Sequence, residues 1–584
     1  MSEMNHPHVL GPTRLGFADG AELDRFVEKL EAFERGEVAP DEWRAFRLVH
    51  GVYGQRQDGP MMVRCKIPQG VLTPEQLVAL SEVAERWSTG RVHITTRQNV
   101  QFHFVDLENV EAVVRRLGAA GLTTREACGN SVRNITGCPY AGVSELEPFD
   151  VTPYAEAMTR HLLRGPLSST LPRKFKIAFG GCCGGDCVGA GFNDIGLLAR
   201  VRDGRRGFRV TIGGGLSTLR RAGFLAHEFL PVEEIFEVAE SVLRVFNRTG
   251  DRRNKAKARL KFVIERLGVD GFLAEYRKER EAIAAEGGRP LGDLPPVPIP
   301  RLKRAFPQLP AAGFDAFLDK NVRAQKQRGQ VAVTVRVALG DLTATQLRGL
   351  AQIALEMSAE EQVRTTAEQN LVIRFISRDA LPSLHARLVS LGLAQPGPRT
   401  ISDVTSCPGA MSCKLAVTQS RGLADLLSDH LQRHPEVAAL AESLSIKVSG
   451  CPNGCGQHYV AGLGFQGSVR KIGGRPVPQY HLYVGGKFDG SSFGRLAAKI
   501  PARRAPQALT RLLELYASDK QYVSDEQRDE SPEDFFARVP LPRVQSLLAD
   551  LTEMKDSEAT ADDFVDLGEH RSFEVVLQEG ECAA

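Results

Sequence analysis

The sequence predicts an α+β protein, internally duplicated with pseudo-two-fold architecture, and two observations carry that prediction. The two halves align at an offset of about 270 residues through five matched blocks in the same order. Within each half, period-2 stretches of strand character alternate with capped stretches of helical character. The blocks are specific. GVLTPEQL (70–77) returns as GDLTATQL (340–347), and VHITTRQNVQFHFV (92–105) returns as VRTTAEQNLVIRFI (363–376). Gly121-Leu122 returns as Gly392-Leu393, and TGCP (136–139) as TSCP (405–408). Finally, KIAFGGCCGGDCVGAGFNDIG (176–196) is mirrored by KVSGCPNGCGQHYVAGLG (447–464).

Residues 1–60 read as a mostly helical lead-in. Residues 61–130 read as strand, helix, strand, helix: Val100, Phe102 and Phe104 alternate with Gln101 and His103, the pattern of a half-buried strand. LTPEQLVALSEVAERW starts a helix behind a Leu-Thr cap. Residues 131–286 carry the first set of cysteine motifs and the Gly-rich turn VTIGGG (210–215). Residues 287–329 are a linker, marked by GGRPLGDLPPVPIPR (287–301). The second copy follows as 330–400 and 401–530, the latter with the turn LYVGGK (482–487), and 531–584 reads as an acidic, partly irregular tail.

The 584 residues suggest about three to five domains. With 42% apolar and 25% charged residues the chain is an ordinary globular one, which excludes wholesale disorder. A formal charge of +3 from 74 basic and 71 acidic residues excludes nucleic-acid binding by charge alone. MSEMNHPHVL lacks the basic and apolar regions of a secretory signal, and no run approaches the roughly 18 apolar residues of a spanning helix. A cytoplasmic protein without membrane or nucleic-acid partners is expected.

Eleven cysteines in a reducing compartment point to metal ligands or spare thiols rather than disulfides. Four fall within 49 residues, as Cys407-x5-Cys413 and Cys451-x3-Cys455. Four thiolates hold either tetrahedral zinc or an iron–sulfur cube. Zinc knuckles usually space their cysteines by two to four residues, so zinc fits poorly. The small polar loops CPGAMSC and GCPNGCG suit a [4Fe–4S] cluster, whose sulfurs accept backbone N–H groups. Structural zinc and unligated thiols stay open on spacing alone.

SCPGAMSCKLA followed by KVSGCPNGCGQH closely resembles the sirohaem and [4Fe–4S] signature of the sulfite/nitrite reductase family. TTRQNVQFHF, VRNITGC, LPRKFK, TIGGGLS, NRTGDRRNKAKARLKF, TAEQNLVI and LYVGGK resemble family blocks in family order, covering roughly residues 45–500. The resemblance implies a fused pair of ferredoxin-like modules plus two sirohaem-cradling α+β modules. It places the cluster on Cys407, Cys413, Cys451 and Cys455, with the Cys455 sulfur also bridging to the sirohaem iron, and leaves Asn453 to the loop geometry. It assigns the anion-binding set to Arg97, Arg133, Lys174 and Lys176, where preorganised cations suit an anion that loses oxygen as water. The second copy has Ala367-Glu368 opposite Arg97, so one copy alone carries these cations.

The basic run 252–261 is expected to put Arg253, Lys257 and Lys261 on one helical face, there to hold sirohaem carboxylates or an acidic donor; a solvated face is the alternative. Tyr53 and Cys128 match positions that some family members join by a thioether. Cys138, Cys182 and Cys187 mirror Cys407, Cys451 and Cys455, with Ser144 in place of Cys413. They read as a relic of duplication, with a second cluster as the alternative. Cys183 is an extra neighbour, and Cys65 and Cys582 read as spare thiols.

Three functions are weighed: reduction of sulfite to sulfide, reduction of nitrite to ammonia, and a non-catalytic iron–sulfur or zinc protein. The four cations argue against the third. Lys176 favours sulfite, because sulfite-reducing members carry lysine at both Lys174 and Lys176 whereas nitrite-reducing members tend to asparagine at the second. No G-x-G-x-x-G follows a strand, so electrons are expected from ferredoxin or a separate flavoprotein. The fused pseudo-dimer is expected to act as a monomer.

Overall fold

A computed structural model describes residues 9–10, 15–182, 185–295, 297, 300, 303, 309–521, 530–576 and 580–581. Cys183, Cys582 and part of the Pro-rich linker lie outside the described residues. Four five-stranded sheets build the molecule, two of each kind.

The two smaller sheets are antiparallel and exchange strands. One orders Asp341–Thr343, Arg91–Ile94, Val100–Val105, Met61–Cys65 and Val52–Gly54; the other orders Val322–Ala324, Gln330–Val335, Leu371–Ser377, Val363–Thr365 and Val71–Leu72. Each copy thus lends the other an edge strand: Leu342 pairs with Val92, and Leu72 pairs with Val363. The lent strands precede the helices Pro74–Trp87 and Ala344–Met357, which start alike. Thr73 and Thr343 each close a capping box with the Gln three residues on. The helices pack on each other and on both sheets, with Leu77, Leu80, Leu347 and Leu350 in one shared core. Sheet edges so paired are covered rather than exposed.

Two differences from the sequence reading stand out. Each small module has two strands more than strand–helix–strand–helix: the lent edge strand, and a second strand gained because the block after the helix, VHITTRQNVQFHFV in the first copy, folds as a hairpin. The lead-in also contributes a strand, Val52–Gly54, to the first sheet.

The two larger sheets are mixed. One orders Phe224–Pro231, Arg205–Ile212, Ile195–Arg202, Ile177–Gly180 and Thr136–Gly137; its counterpart orders Arg495–Pro501, Arg475–Val484, Leu463–Ile472, Ile446–Ser449 and Thr405–Ser406. The last two strands of each run parallel. Helices cover the outer faces and bury Val242, Phe246 and Phe272 on one sheet, and Leu423, Leu509 and Leu512 on the other.

The described residues after 530 pack against the body of the protein. The short helices Pro532–Arg538 and Leu541–Leu547 bury Phe535, Phe536 and Val544 in the second large core. Their apolar residues are too few and too short-ranged for a periodicity argument, so the acidic composition dominated the reading. Among the described residues, no helix is long and apolar enough to cross a membrane.

Candidate functional site

The C-terminal ends of the parallel strands Thr405–Ser406 and Ile446–Ser449 lie side by side, with Ser406 paired to Val448. Cys407 follows the first strand and Cys451 lies two residues beyond the second. Cys413 ends a tight loop through the one-turn helix Gly409–Met411, and Cys455 follows Gly454, whose φ of 67° suits glycine. Glycine is also needed at 456, where a Cβ would stand 2.0 Å from the Val448 carbonyl oxygen. The Cys407 sulfur accepts the Gly450 N–H at 3.4 Å and lies 3.3 Å from the Ser420 hydroxyl.

The four thiols are near neighbours. Burial holds the Cys451 thiol above its ordinary range, and the nearby Cys455, Cys407 and Cys413 push the same way. Among the described residues, no three His, Cys, Asp or Glu side chains converge closely enough to hold a single metal ion. Four thiols in small polar loops, with a backbone N–H already on the Cys407 sulfur, are a donor set that suits a [4Fe–4S] cluster.

All four cysteines line a cavity of about 670 Å³ between the two halves of the molecule, and Asn453 lines it too. Arg97, Arg133, Lys174 and Lys176 line the same cavity. A direct tie joins the two groups: Thr96 Oγ1 donates to the Cys455 carbonyl at 2.9 Å. The Arg97 guanidinium is aimed by Asn193 Oδ1 at 2.7 Å and the Asn134 carbonyl at 2.5 Å, and its Nε has no partner. Desolvation deep below the surface, reinforced by Arg133 and Arg259, lowers its pKa to about 9.

The Arg133 guanidinium donates to the carbonyls of Gly129 and Ala127 at 3.1 and 3.2 Å and to the Tyr53 hydroxyl at 3.4 Å. Tyr53 and Cys128 share a small buried cluster with Leu48, Met62 and Ala127. The pair matched from sequence is therefore brought together at the cavity edge, beside Arg133.

Lys176 holds the most pronounced environment. Its backbone N–H donates to Asp194 Oδ2 at 2.9 Å, while its ammonium makes no hydrogen bond or ion pair with any described residue. Burial pushes its pKa well below the usual lysine range, and the positive charges of Arg97, Arg259 and Lys174 add to that.

The basic run 252–261 departs from the helical-face expectation. Asp251 Oδ1 accepts the N–H groups of Arg253 and Asn254, and the Asn254 side chain caps a one-turn 3-10 helix, Lys255–Lys257. The α-helix begins only at Leu260. Side-chain caps that compete with the helix break its phase here. Arg253 and Lys257 are exposed and do not line the cavity; Lys255, Arg259 and Lys261 do. Arg259 is held by Asp194 Oδ2 at 2.9 Å. The Lys261 ammonium donates to the carbonyls of Leu216, at 2.8 Å, and Leu219, and burial lowers its pKa to about 7.

Sequence reasoning missed Arg64, His103 and Asp194. Arg64 lines the cavity with its guanidinium 5.6 Å from the Tyr53 ring centre, and it shares the Ala127 carbonyl with Arg133. The alternation of MMVRC was the available signal, since it places Arg64 on one face of its strand. His103 is buried at the cavity with both ring nitrogens unpartnered, and burial lowers its pKa to about 3.

These features fit a large polycarboxylate tetrapyrrole. The volume falls in the range of ligand cavities, and orphaned buried nitrogens on Arg97, Arg259 and His103 face a space lined by several cations.

In the first copy the mirror-image motif is closed on itself. Ser144 Oγ lies 3.2 Å from Cys182 Sγ. Cys138 and Cys187 share a hydrogen bond that holds the Cys138 thiol below and the Cys187 thiol above the ordinary range.

Comparison with known proteins agrees with this geometry. The model described as the nitrite and sulphite reductase 4Fe-4S domain matches residues 128–283 and 398–528. The nitrite/sulfite reductase ferredoxin-like half domain matches 53–120 and 323–391. A ferredoxin–nitrite reductase of Synechococcus elongatus is 31% identical over 78% of this chain and 86% of its own. A sulfite reductase [ferredoxin] of Mycobacterium tuberculosis is 31% identical over 74% of this chain and 75% of its own. The solved structure of the Mycobacterium tuberculosis NirA protein superposes with a TM-score of 0.74 at 28% identity, covering 90% of this chain and 96% of that one. The duplicated modules, the facing cysteines and cations, and these matches together place the chain in the nitrite and sulfite reductase family, whose enzymes depend on sirohaem and a [4Fe–4S] cluster.

Proposed function

We propose that the chain reduces sulfite to sulfide by six electrons, with ferredoxin as external donor. The observation that carries this reading is the Lys176 ammonium, unpaired in the cavity beside Lys174 and Arg97. Sulfite is a dianion near neutral pH and presents three oxygens, so an additional cation and proton donor serves it more than nitrite, a smaller monoanion with two.

In this reading Cys407, Cys413, Cys451 and Cys455 would hold the cluster. Lys255, Arg259, Lys261 and His103 would receive the carboxylates of the macrocycle, in place of Arg253 and Lys257. Sirohaem, when bound, would supply the redox chemistry. Arg133 and Arg64, braced on the Ala127 carbonyl and Tyr53, fix the anion with Arg97 and Lys174. Lys176, whose proton is loosened by its cationic neighbours, delivers protons to departing oxygens. The ferredoxin named for the relatives above supports a ferredoxin donor over a separate flavoprotein. One chain supplies both halves of the cavity, which supports a monomer as the working unit.

Nitrite is the second reading, favoured by relatives named as nitrite reductases. With a reduced viologen as common donor, Lys176→Asn is expected to lower kcat/KM for sulfite about 100-fold and for nitrite about tenfold or less. Equal losses would remove Lys176 as discriminator.

A further inference from the structure

The C-terminal segment does something that neither its composition nor the family match assigns. It crosses the cluster loop and reaches the cavity wall. Asp566 Oδ2 accepts the Gln419 N–H at 2.8 Å, and the Gln419 side chain donates to Glu569 Oε1 at 2.6 Å. Gln419 immediately precedes Ser420, whose hydroxyl touches the Cys407 sulfur. Further on, Gly580 packs so closely on Leu415 that a Cβ would stand 2.2 Å from it. Gly580 and Glu581 both line the cavity.

The last contact is a charged clasp across the whole chain length. Glu581 accepts from Arg47 Nη1 at 2.8 Å, Arg47 Nη2 at 2.5 Å and the Gly54 N–H at 2.6 Å. The side chains of Arg47 and Glu581 are only 8% and 10% exposed. A bidentate, buried pair that also satisfies a backbone donor is a costly arrangement to leave half made. Nearby, the turn after Gly54 is laced to the cluster loop: the Arg56 N–H donates to the Ser412 carbonyl at 2.8 Å, and its side chain to the Ala416 carbonyl at 2.9 Å. Glu581 therefore ties the lead-in helix Pro40–Val49 to the strand Val52–Gly54 at one edge of the cavity, while its neighbour Gly580 packs on Leu415 of the cluster loop.

We propose that residues 562–576, together with Gly580 and Glu581, act as a strap over the cofactor cavity, with Glu581 as the positioning residue that latches it to Arg47 and retains the cluster and macrocycle. This rests on the cavity being the cofactor site. The latch lies outside the anion-binding set, so its loss should loosen retention before it changes chemistry.

The test uses the loaded full-length protein, Glu581→Ala, Glu581→Gln and a chain ending at Val576. Iron release to bathophenanthroline disulfonate and decay of the chlorin-type absorption band are followed under anaerobic conditions. Both rates are expected to rise roughly tenfold or more in Glu581→Ala and the shortened chain, with unchanged far-UV circular dichroism. Glu581→Gln, which keeps an acceptor for Gly54 and Arg47, is expected to fall between. Release rates equal to wild type in the alanine and shortened variants would overturn the strap. A global loss of circular dichroism in Glu581→Ala, shared by Glu581→Gln, would also overturn it, by making Glu581 a folding residue. A wild-type protein purified with no chlorin-type band even after anaerobic reconstitution would instead overturn the cavity assignment on which the strap rests.

Discussion

At the scale of single residues, the cavity concentrates positive charge on side chains removed from solvent. Lys176 has Arg97, Arg259 and Lys174 as neighbours and the buried Asp194 as its nearest counter-charge, so its protonated form is penalised. The sign gives a pH prediction. A lysine with a depressed pKa loses its charge as pH rises through that lowered value, so kcat/KM for the anion should fall on an alkaline limb well below the usual lysine range. Lys176→Arg, which stays charged, should carry that limb to higher pH while lowering the maximum, since arginine donates protons poorly. A pH–kcat/KM profile of both proteins checks this, and an unmoved limb would detach Lys176 from it. The cations Arg97, Arg133, Lys174 and Lys176 were legible through the family-like motifs that carry them, although Arg97 lies in the hairpin turn and the other three lie between strands. Lys255 and Arg259 were not, since their direction is set by the Asp251 and Asn254 caps, which shift the chain out of helical phase. Arg64 hid in plain alternation, with nothing in one sequence to separate it from any charged strand residue.

At the scale of elements, two parallel strand ends present Cys407 and Cys451 to the cavity, and glycines let the loops fold back on those ends. Gly456→Ala would drive a Cβ against the Val448 carbonyl, an immovable backbone atom, at an expected strain of about 1–3 kcal/mol. The expected outcome is a chain that folds with substoichiometric cluster, seen as reduced iron per chain; full iron content would show that the loop can give. The repeated Gln-Asn dipeptide explains why the blocks around 92 and 363 survive. Gln98 takes φ of 58° and bonds Gly137 and the Thr365 carbonyl; Gln369 takes φ of 68° and bonds Ser406 and the Ile94 carbonyl. Each glutamine pins its own cysteine-bearing strand to the other copy. The repeat itself was plain in sequence, but this cross-copy exchange was not, because edge strands of two or three residues carry no periodicity to read.

At the scale of the whole molecule, duplication left a cysteine grouping in each copy; four thiols line the cavity in the second, and among the described residues the grouping in the first retains three cysteines. In the first copy Ser144 replaces a thiol, and Cys138 and Cys187 satisfy each other. About five irons per chain are therefore expected, one from sirohaem and about four from the cube. A reproducible count near eight or nine would show a second cluster. Cys413→Ser should lower the count and abolish turnover, because a hydroxyl is a poor ligand for cluster iron; full activity with an intact cluster spectrum would contradict the ligand set.

The central claim is that this cavity, with its fourth cation, is tuned to sulfite. The most direct measurement compares kcat/KM of the wild-type chain for sulfite, read as sulfide formed, with that for nitrite, read as ammonia formed, under the same reduced viologen. The larger value is expected for sulfite; a larger value for nitrite would contradict tuning to sulfite.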